Sequence, residues 1–405
     1  MALHTFDKRL LEFMYQLTLH QKLMTHKEMS QVITIQGEKV SERTIKRWLK
    51  YLKENHYFTY HPSIKFEQLG LQSVVIILYG LKNQSILDII PYKIYLMRGT
   101  DFKINQDCFF INYKIPIGNF EKFCDFWRVA RTKGIIENFS VFEIEQVTAL
   151  YSPIHKMISP NGSISATEAD NNYFLDLLET RLNKIEKKSK FSAPFMTLVA
   201  IEYLKDFASS NKVWEQLYKK FGDDIWLLMK KCPTIKLQIK KRSSGVGIMC
   251  VQKVLRYLRE NSDSLIQQIR LAYGPLYAKN VNLQITFKTK DKPTLLSLIR
   301  KISKFSLSII FYHLPLRNVA MLELVTSGEL VSDILLNIKN AALKSKVNRL
   351  IWFDYKDSSN FWESKKESWL KLKHQDLFDP ETVSWRYDSK KYLHEINMLS
   401  TKSRE

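Results

Sequence analysis

The chain has 405 residues, of which 45% are hydrophobic and 12% aromatic; that is enough for packed cores and outside the range of disordered chains. Its 62 Lys and Arg outnumber 41 Asp and Glu to leave a net charge of +21, which points to a polyanionic partner, nucleic acid first among them. No apolar stretch reaches the roughly 18 residues that span a bilayer. The first residues lack the apolar core of a secretion signal. The four cysteines (Cys108, Cys124, Cys232, Cys250) form no CxxC pair, so reduced thiols in a soluble, cytoplasmic protein with no membrane partner are expected.

Taken in chain order, residues 6–21 place Phe6, Leu10, Leu11, Phe13, Met14 and Leu17 on one helical stripe. Thr25-His26-Lys27-Glu28 has capping-box spacing and predicts a second helix running through Val32-Ile33. Gly37 breaks the pattern, and Ser41 can cap a third helix over residues 42–55. There Ile45, Trp48, Leu49 and Leu52 recur at i, i+3, i+4 and i+7 and face a core, while Arg43, Lys46, Arg47, Lys50 and Lys53 hold the other face. Three helices, the last basic outside, read as a helix-turn-helix. Arg is best matched to guanine edges and Lys to phosphates. The DNA-binding candidates on this head are Lys39, Ser41, Arg43, Thr44, Lys46, Arg47 and Lys50. Residues 56–60 and 64–66, around Pro62, predict a short β wing.

From residue 69 the pattern becomes strand 73–79, short helix 84–90, strands 92–97 and 108–115, helix 120–130 and strand 139–145. This βαββαβ order describes a ferredoxin-like sandwich with helices on one face and the other face of the sheet free. The whole unit, a helix-turn-helix ending in Leu-Lys-x-Leu-Lys-Glu-Asn followed by Leu69-Gly70-Leu71 and the sheet domain, resembles the Lrp/AsnC (feast/famine) transcription regulators of bacteria and archaea. Ser41, Thr44, Ile45, Arg47, Trp48, Leu49 and Leu52 are similar in spacing and chemistry to that family's recognition helix. Arg98-Gly99-Thr100-Asp101-Phe102 resembles its effector-sensing turn, with the Asp one residue sooner.

The resemblance covers about residues 5–146. It implies double-stranded DNA as partner, a nucleoid-associated protein, and an amino acid-like effector at Gly99, Thr100 and Asp101. Residues 34–39 make a longer connection than the family's tight turn, and residues 103–107 extend the hairpin after Asp101.

Residues 47–55 return at 253–261 as basic-x-Leu-basic-Tyr-Leu-basic-Glu-Asn, a constant spacing of 206, which suggests duplication of a two-part unit. Two prolines and many turn formers over 151–170 mark a boundary, followed by a bridging helix over 173–188. Helices are expected at 196–207, 214–221, 223–231 and 248–261. The last buries Val251, Val254, Leu255 and Leu258 and exposes Gln252, Lys253, Arg256 and Arg259, with the basic loop Lys240-Lys241-Arg242 before it. Lys240, Lys241, Arg242, Gln252, Lys253 and Arg256 are the DNA-binding candidates of this divergent second head; a head used only for packing stays open. A second βαββαβ set follows: strand 282–287, helix 293–305, strands 307–312 and 319–325, helix 329–343, strand 347–355. A helix over 362–374 and a frayed charged tail from Ser389 complete the chain.

The expected fold class is α+β, a tandem of winged helix-turn-helix and ferredoxin-like modules. The expected domains are 1–68, 69–150, a linker and bridging helix 151–190, 191–280, 281–357 and a tail 358–405. No GxGxxG, GxxxxGK[ST], HExxH or GxSxG is present and the nine histidines are dispersed. The chain is therefore expected to be no enzyme and to hold no cofactor or metal. The expected function is a sequence-specific transcription regulator whose two sheet domains pair within the chain as a pseudo-dimer or between chains as a homodimer. The alternatives are an architectural DNA-binding protein and RNA binding through open sheets, where Cys108-Phe-Phe-Ile-Asn-Tyr113 offers aromatics.

Overall fold

The computed structural model describes residues 7–20, 24–54, 59–64, 66–159, 163–167, 172–183, 195–196, 198–199, 202–203, 209–232, 235, 242–260, 266–272, 281–288, 291–315, 319–341, 347–353, 378–379 and 384–402. Asp7 caps α1 (Lys8–Leu19), accepting from the Arg9 and Leu10 amides at 2.8 and 3.4 Å. The capping box opens α2 (His26–Val32): the Thr25 amide donates to Glu28 at 2.6 Å and the Glu28 amide to Thr25 at 3.2 Å. The long connection that follows is a hairpin, β1 (Thr34–Ile35) and β2 (Glu38–Lys39). Gln36 and Gly37 at its tip take φ of 54° and 84°, the left-handed pair that matches strand twist. α3 (Glu42–Glu54) then buries Ile45, Trp48, Leu49 and Leu52, the Trp48 ring centred 5.1 Å from that of Phe13.

The expected wing does not form as a local hairpin. Thr59–Ile64 is one strand, β3, running through Pro62. Its partner comes from the second half of the chain, and Pro62, which has no N–H to donate, is tolerated because the ribbon has only two strands and open edges.

The first sheet comprises β4 (Leu71–Tyr79), β5 (Lys93–Asp101), β6 (Gln106–Pro116) and β7 (Asn138–Ile144), in the order β7-β4-β6-β5. α4 (Phe120–Thr132) covers one face, seating Phe123, Phe126 and Trp127 on Val74, Ile76 and Leu78. The helix expected at 84–90 is instead a short 3-10 stretch, Gln84–Asp88, with Asn83 accepting from the Ser85 amide at 2.9 Å. It is too short to cover its share of the sheet.

After Glu145 the chain continues as β8 (Gln146–Tyr151) and a single turn, α5 (Ile154–Met157). The segment expected to be a linker is packed. Ile154, Met157, Ile158 and Ile164 enter the same core as α1, and the Ser152 hydroxyl reaches the carbonyls of Ser303 and Ser306 at 2.8 and 2.6 Å. α6 (Asn172–Asn183) follows with Phe174, Leu175 and Leu178 buried.

The second head repeats the first in element lengths. α7 (Ser210–Phe221) and α8 (Asp224–Lys230) have 12 and 7 residues, as α1 and α2 do. α9 (Ser244–Glu260) carries the echoed segment. It crosses α7 at Gly247, where an added Cβ would lie 2.3 Å from the Trp214 ring. β9 (Ile266–Ala272) then pairs antiparallel with β3, Thr59 opposite Ala272 and Ile64 opposite Ile266.

The second sheet holds β10 (Val281–Lys288), β11 (Ser308–His313), β12 (Val319–Thr326) and β13 (Val347–Phe353), with α10 (Lys292–Ser303) and α11 (Val331–Ala341) as crossovers. Asp291 caps α10 on the Thr294 amide at 2.8 Å and Pro293 sits in the first turn. The strand order, β13-β10-β12-β11, repeats that of the first sheet.

The two sheets are one. At one seam β5 pairs with β13; at the other β11 pairs with β8, the continuation of β7. At each seam, therefore, the second strand of one half meets the fourth strand of the other, or its extension. The nine-stranded sheet wraps back on itself and closes around a shared interior of Val75, Ile77, Tyr79, Met97, Phe110, Tyr312, Met321 and Ile351. The expectation of a free sheet face is thereby corrected: each half covers the other. The architecture is α+β around one large antiparallel sheet.

Beyond the second sheet, β14 (Phe378–Asp379) pairs with β15 (Ser384–Trp385). The tail expected to fray is α12 (Ser389–Lys402), docked on the first sheet domain with Tyr392 and Ile396 buried. It shares that core with α4 and with Ile86 and Leu87 of the 3-10 stretch. The helix expected at 362–374 and part of that at 196–207 lie outside the described residues.

Candidate functional site

The cap geometry of α3 sets its outer face. Ser41 Oγ accepts from the Thr44 amide at 3.2 Å and lies 3.0 Å from the Thr44 hydroxyl, so both are engaged in starting the helix. With the opposite side in the core, Arg43, Lys46, Arg47 and Lys50 stand exposed, and Lys39 is exposed on β2 one turn before them. Lys46 pairs with Glu42 at 2.7 Å and Lys50 with Glu54 at 3.6 Å. Such surface pairs hold their partners weakly. Among the described residues no ion pair engages Arg43 or Arg47. The hairpin beside this face is tied to α1 through the Gln36 amide, 3.3 Å from the Glu12 carboxylate.

On the second head Gln252, Lys253 and Arg256 share the exposed face of α9, and Arg242 is exposed just before it. Arg259, expected on that face, is drawn inward instead, its guanidinium 5.8 Å from the centre of the Tyr203 ring. Lys240 and Lys241 lie outside the described residues. The β3–β9 ribbon follows both basic helices directly and ties the heads together.

Gly99, Thr100 and Asp101 are placed in β5 rather than in a turn, opposite Phe353, Trp352 and Ile351 of β13 at the seam. Thr100 donates to Asp107 at 3.1 Å. Asp101 is buried and accepts from the Tyr79 hydroxyl at 2.8 Å and the Lys103 amide at 3.0 Å. The Thr100 and Asp101 side chains are committed to partners within the first sheet domain, while the backbones of all three residues pair with β13 at the seam. Burial pushes the neighbouring Cys108 thiol up to about 12, helped by the Asp101 and Asp107 charges. All four cysteines are buried.

Between the sheets lies a polar cluster that the sequence reading missed. The Tyr312 hydroxyl donates to Glu323 at 2.7 Å and meets the Tyr95 hydroxyl at 3.0 Å. Gln284 donates to Thr286 at 2.7 Å. Arg349 hydrogen-bonds Ser140 and lies 5.8 and 5.6 Å from the Tyr79 and Phe142 ring centres. The polar-apolar alternation over 281–288 is the one available signal, and by itself it reads as a strand with one face in water.

No helix among the described residues is long and apolar enough to cross a membrane. Among them, no group of His, Cys, Asp and Glu is placed to hold a metal ion.

No protein-family model and no curated protein matches the chain. Among solved structures, the siroheme decarboxylase NirDL is similar at 11% identity and a TM-score of 0.43, covering 99% of this chain and 100% of that one. NirDL in co-complex with an iron-uroporphyrin III analogue gives 10% identity and a TM-score of 0.41, over 90% and 99% of the two chains. Both are structures of an enzyme, and on that finding the expectation that this chain is no enzyme is withdrawn. The missing motifs speak only to the nucleotide, phosphate, zinc and serine chemistries that those motifs serve.

Proposed function

We propose that the chain is a sequence-specific double-stranded DNA-binding transcription regulator of the Lrp/AsnC type, its tandem winged-helix and ferredoxin-like modules paired within one molecule. The carrying observation is the exposed face of α3, where Arg43 and Arg47, without ion-pair partners among the described residues, stand beside Lys46 and Lys50 on a helix whose other side is locked in the core. That is the presentation a major-groove helix needs. The net charge of +21 supplies the attraction to phosphate. The β3–β9 ribbon supports a two-headed reading: the strands that follow the two basic helices pair antiparallel and so join the heads in one unit. Because the outer faces of α3 and α9 differ, the half-sites are unlike.

RNA binding through open sheets loses its surface, since Phe110 and Tyr113 are buried between layers. Selection of binders from randomised duplex DNA by the purified chain tests the proposal. Two dissimilar motifs at fixed spacing are expected. Binding without any enriched sequence, falling steeply with salt, would replace it with the architectural reading.

A further inference from the structure

We propose that the interior between the two sheets binds a small organic ammonium ion at Glu323. Leu283, Ile285 and Phe287 of β10 and Leu322 and Leu324 of β12 belong to the helix-side core. Asn282, Gln284, Thr286 and Glu323, which alternate with them, therefore face inward. Gln284 and Glu323 are direct cross-strand partners. Asn282 and Gln284 are fully buried and Glu323 is 4% exposed.

Glu323 has no cationic partner among the described residues; its carboxylate accepts from the Tyr312 hydroxyl. A buried carboxylate without a cation is strongly disfavoured. Around it, the acceptors Gln284 Oε1, Asn282 Oδ1 and Asn112 Oδ1 and the donor Asn282 Nδ2 are buried and have no hydrogen-bond partner among the described residues. Asn112 belongs to the facing sheet, paired with Tyr95, whose hydroxyl reaches Tyr312. Three unfilled acceptors against one unfilled amide donor, beside a carboxylate with no cation, favour a positively charged hydrogen-bond donor.

Aromatic rings complete the description. Tyr95 stacks on Phe110 at 6.1 Å and Phe110 meets Tyr312 edge-on at 6.2 Å. Ring faces beside a carboxylate suit an alkylammonium, which takes up both. A hard divalent metal would be served by more carboxylates and no rings. The fold does not impose this polarity: on the corresponding inner row of the first sheet, β4 carries Val75 and Ile77. Arg349, the cation of this interior, reaches Ser140, Tyr79 and Phe142 rather than Glu323, and its Nη1 has no hydrogen-bond partner among the described residues.

Calorimetric titration of the full chain with n-butylammonium chloride tests the assignment, with sodium and magnesium chloride at matched ionic strength as separate arms. Saturable one-site binding of n-butylammonium is expected, weakened at least tenfold by Glu323→Gln, which keeps an acceptor for Tyr312. Gln284→Leu keeps the volume and removes the orphaned acceptor together with the bond to Thr286, so it should weaken binding while the free protein stays folded. It decides the matter if Glu323→Gln does not fold. Heats that never saturate, binding undiminished in both variants, or saturable binding of magnesium with n-butylammonium silent would each overturn the proposal.

Discussion

Trp48 joins the reading of α3 to a stability measurement. Its ring is buried against Phe13 on the side opposite Arg47, so Trp48→Ala should cost about 3–5 kcal/mol in denaturant unfolding. An unchanged midpoint would contradict the assignment of the two faces. Gly247→Ala forces a methyl into the Trp214 ring and should cost about 1–3 kcal/mol by the same assay. Cys108, its thiol pushed up to about 12 by burial, stays protonated at pH 8; it should resist alkylation in the native protein and react once the chain is unfolded. The two faces of α3 were legible because a 3.6-residue period and a Ser cap are local signals. Gln284 and Glu323 were not legible as interior groups, because alternation looks the same whether the second face meets water or another sheet.

Among elements, α12 shows how a long-range contact hides from a sequence reading. Its apolar stripe is narrow, Tyr392, Ile396 and Leu399 among Lys390, Lys391 and Glu395, and a narrow stripe in a charged tail reads as fraying. The helix joins a core whose first crossover is only the Gln84–Asp88 stretch. Ile396→Ala should therefore destabilise the protein by about 2–5 kcal/mol, measured as a shift in the unfolding midpoint; a loss near zero would mean that α12 does not complete that core. The β3–β9 ribbon was hidden for the same reason. A wing was expected from local turn chemistry around Pro62, whereas the true partner lies some 200 residues away. The helices and strands of the second sheet domain, residues 281–353, were legible in order and type, whereas β9, β14 and β15 were not.

At the scale of the molecule, the two halves are joined at the ribbon, at the β5–β13 seam and at the β8–β11 seam. One core runs through both heads, α5, α6 and the second sheet domain. Independent domains on a flexible linker are thereby excluded for the described residues, and heat should unfold the chain in one calorimetric transition. Two separated transitions would mean that these joints are weaker than their burial implies. The same rigidity gives the proposed DNA reading its geometry, two heads presented as a fixed pair rather than on tethers. The direct test is the affinity of the wild-type chain and of the Arg43→Ala/Arg47→Ala variant for one selected duplex across a salt series. Binding by the variant is expected to be at least tenfold weaker, with a shallower salt dependence and an unchanged melting temperature. Equal affinity in the two proteins would contradict the DNA reading.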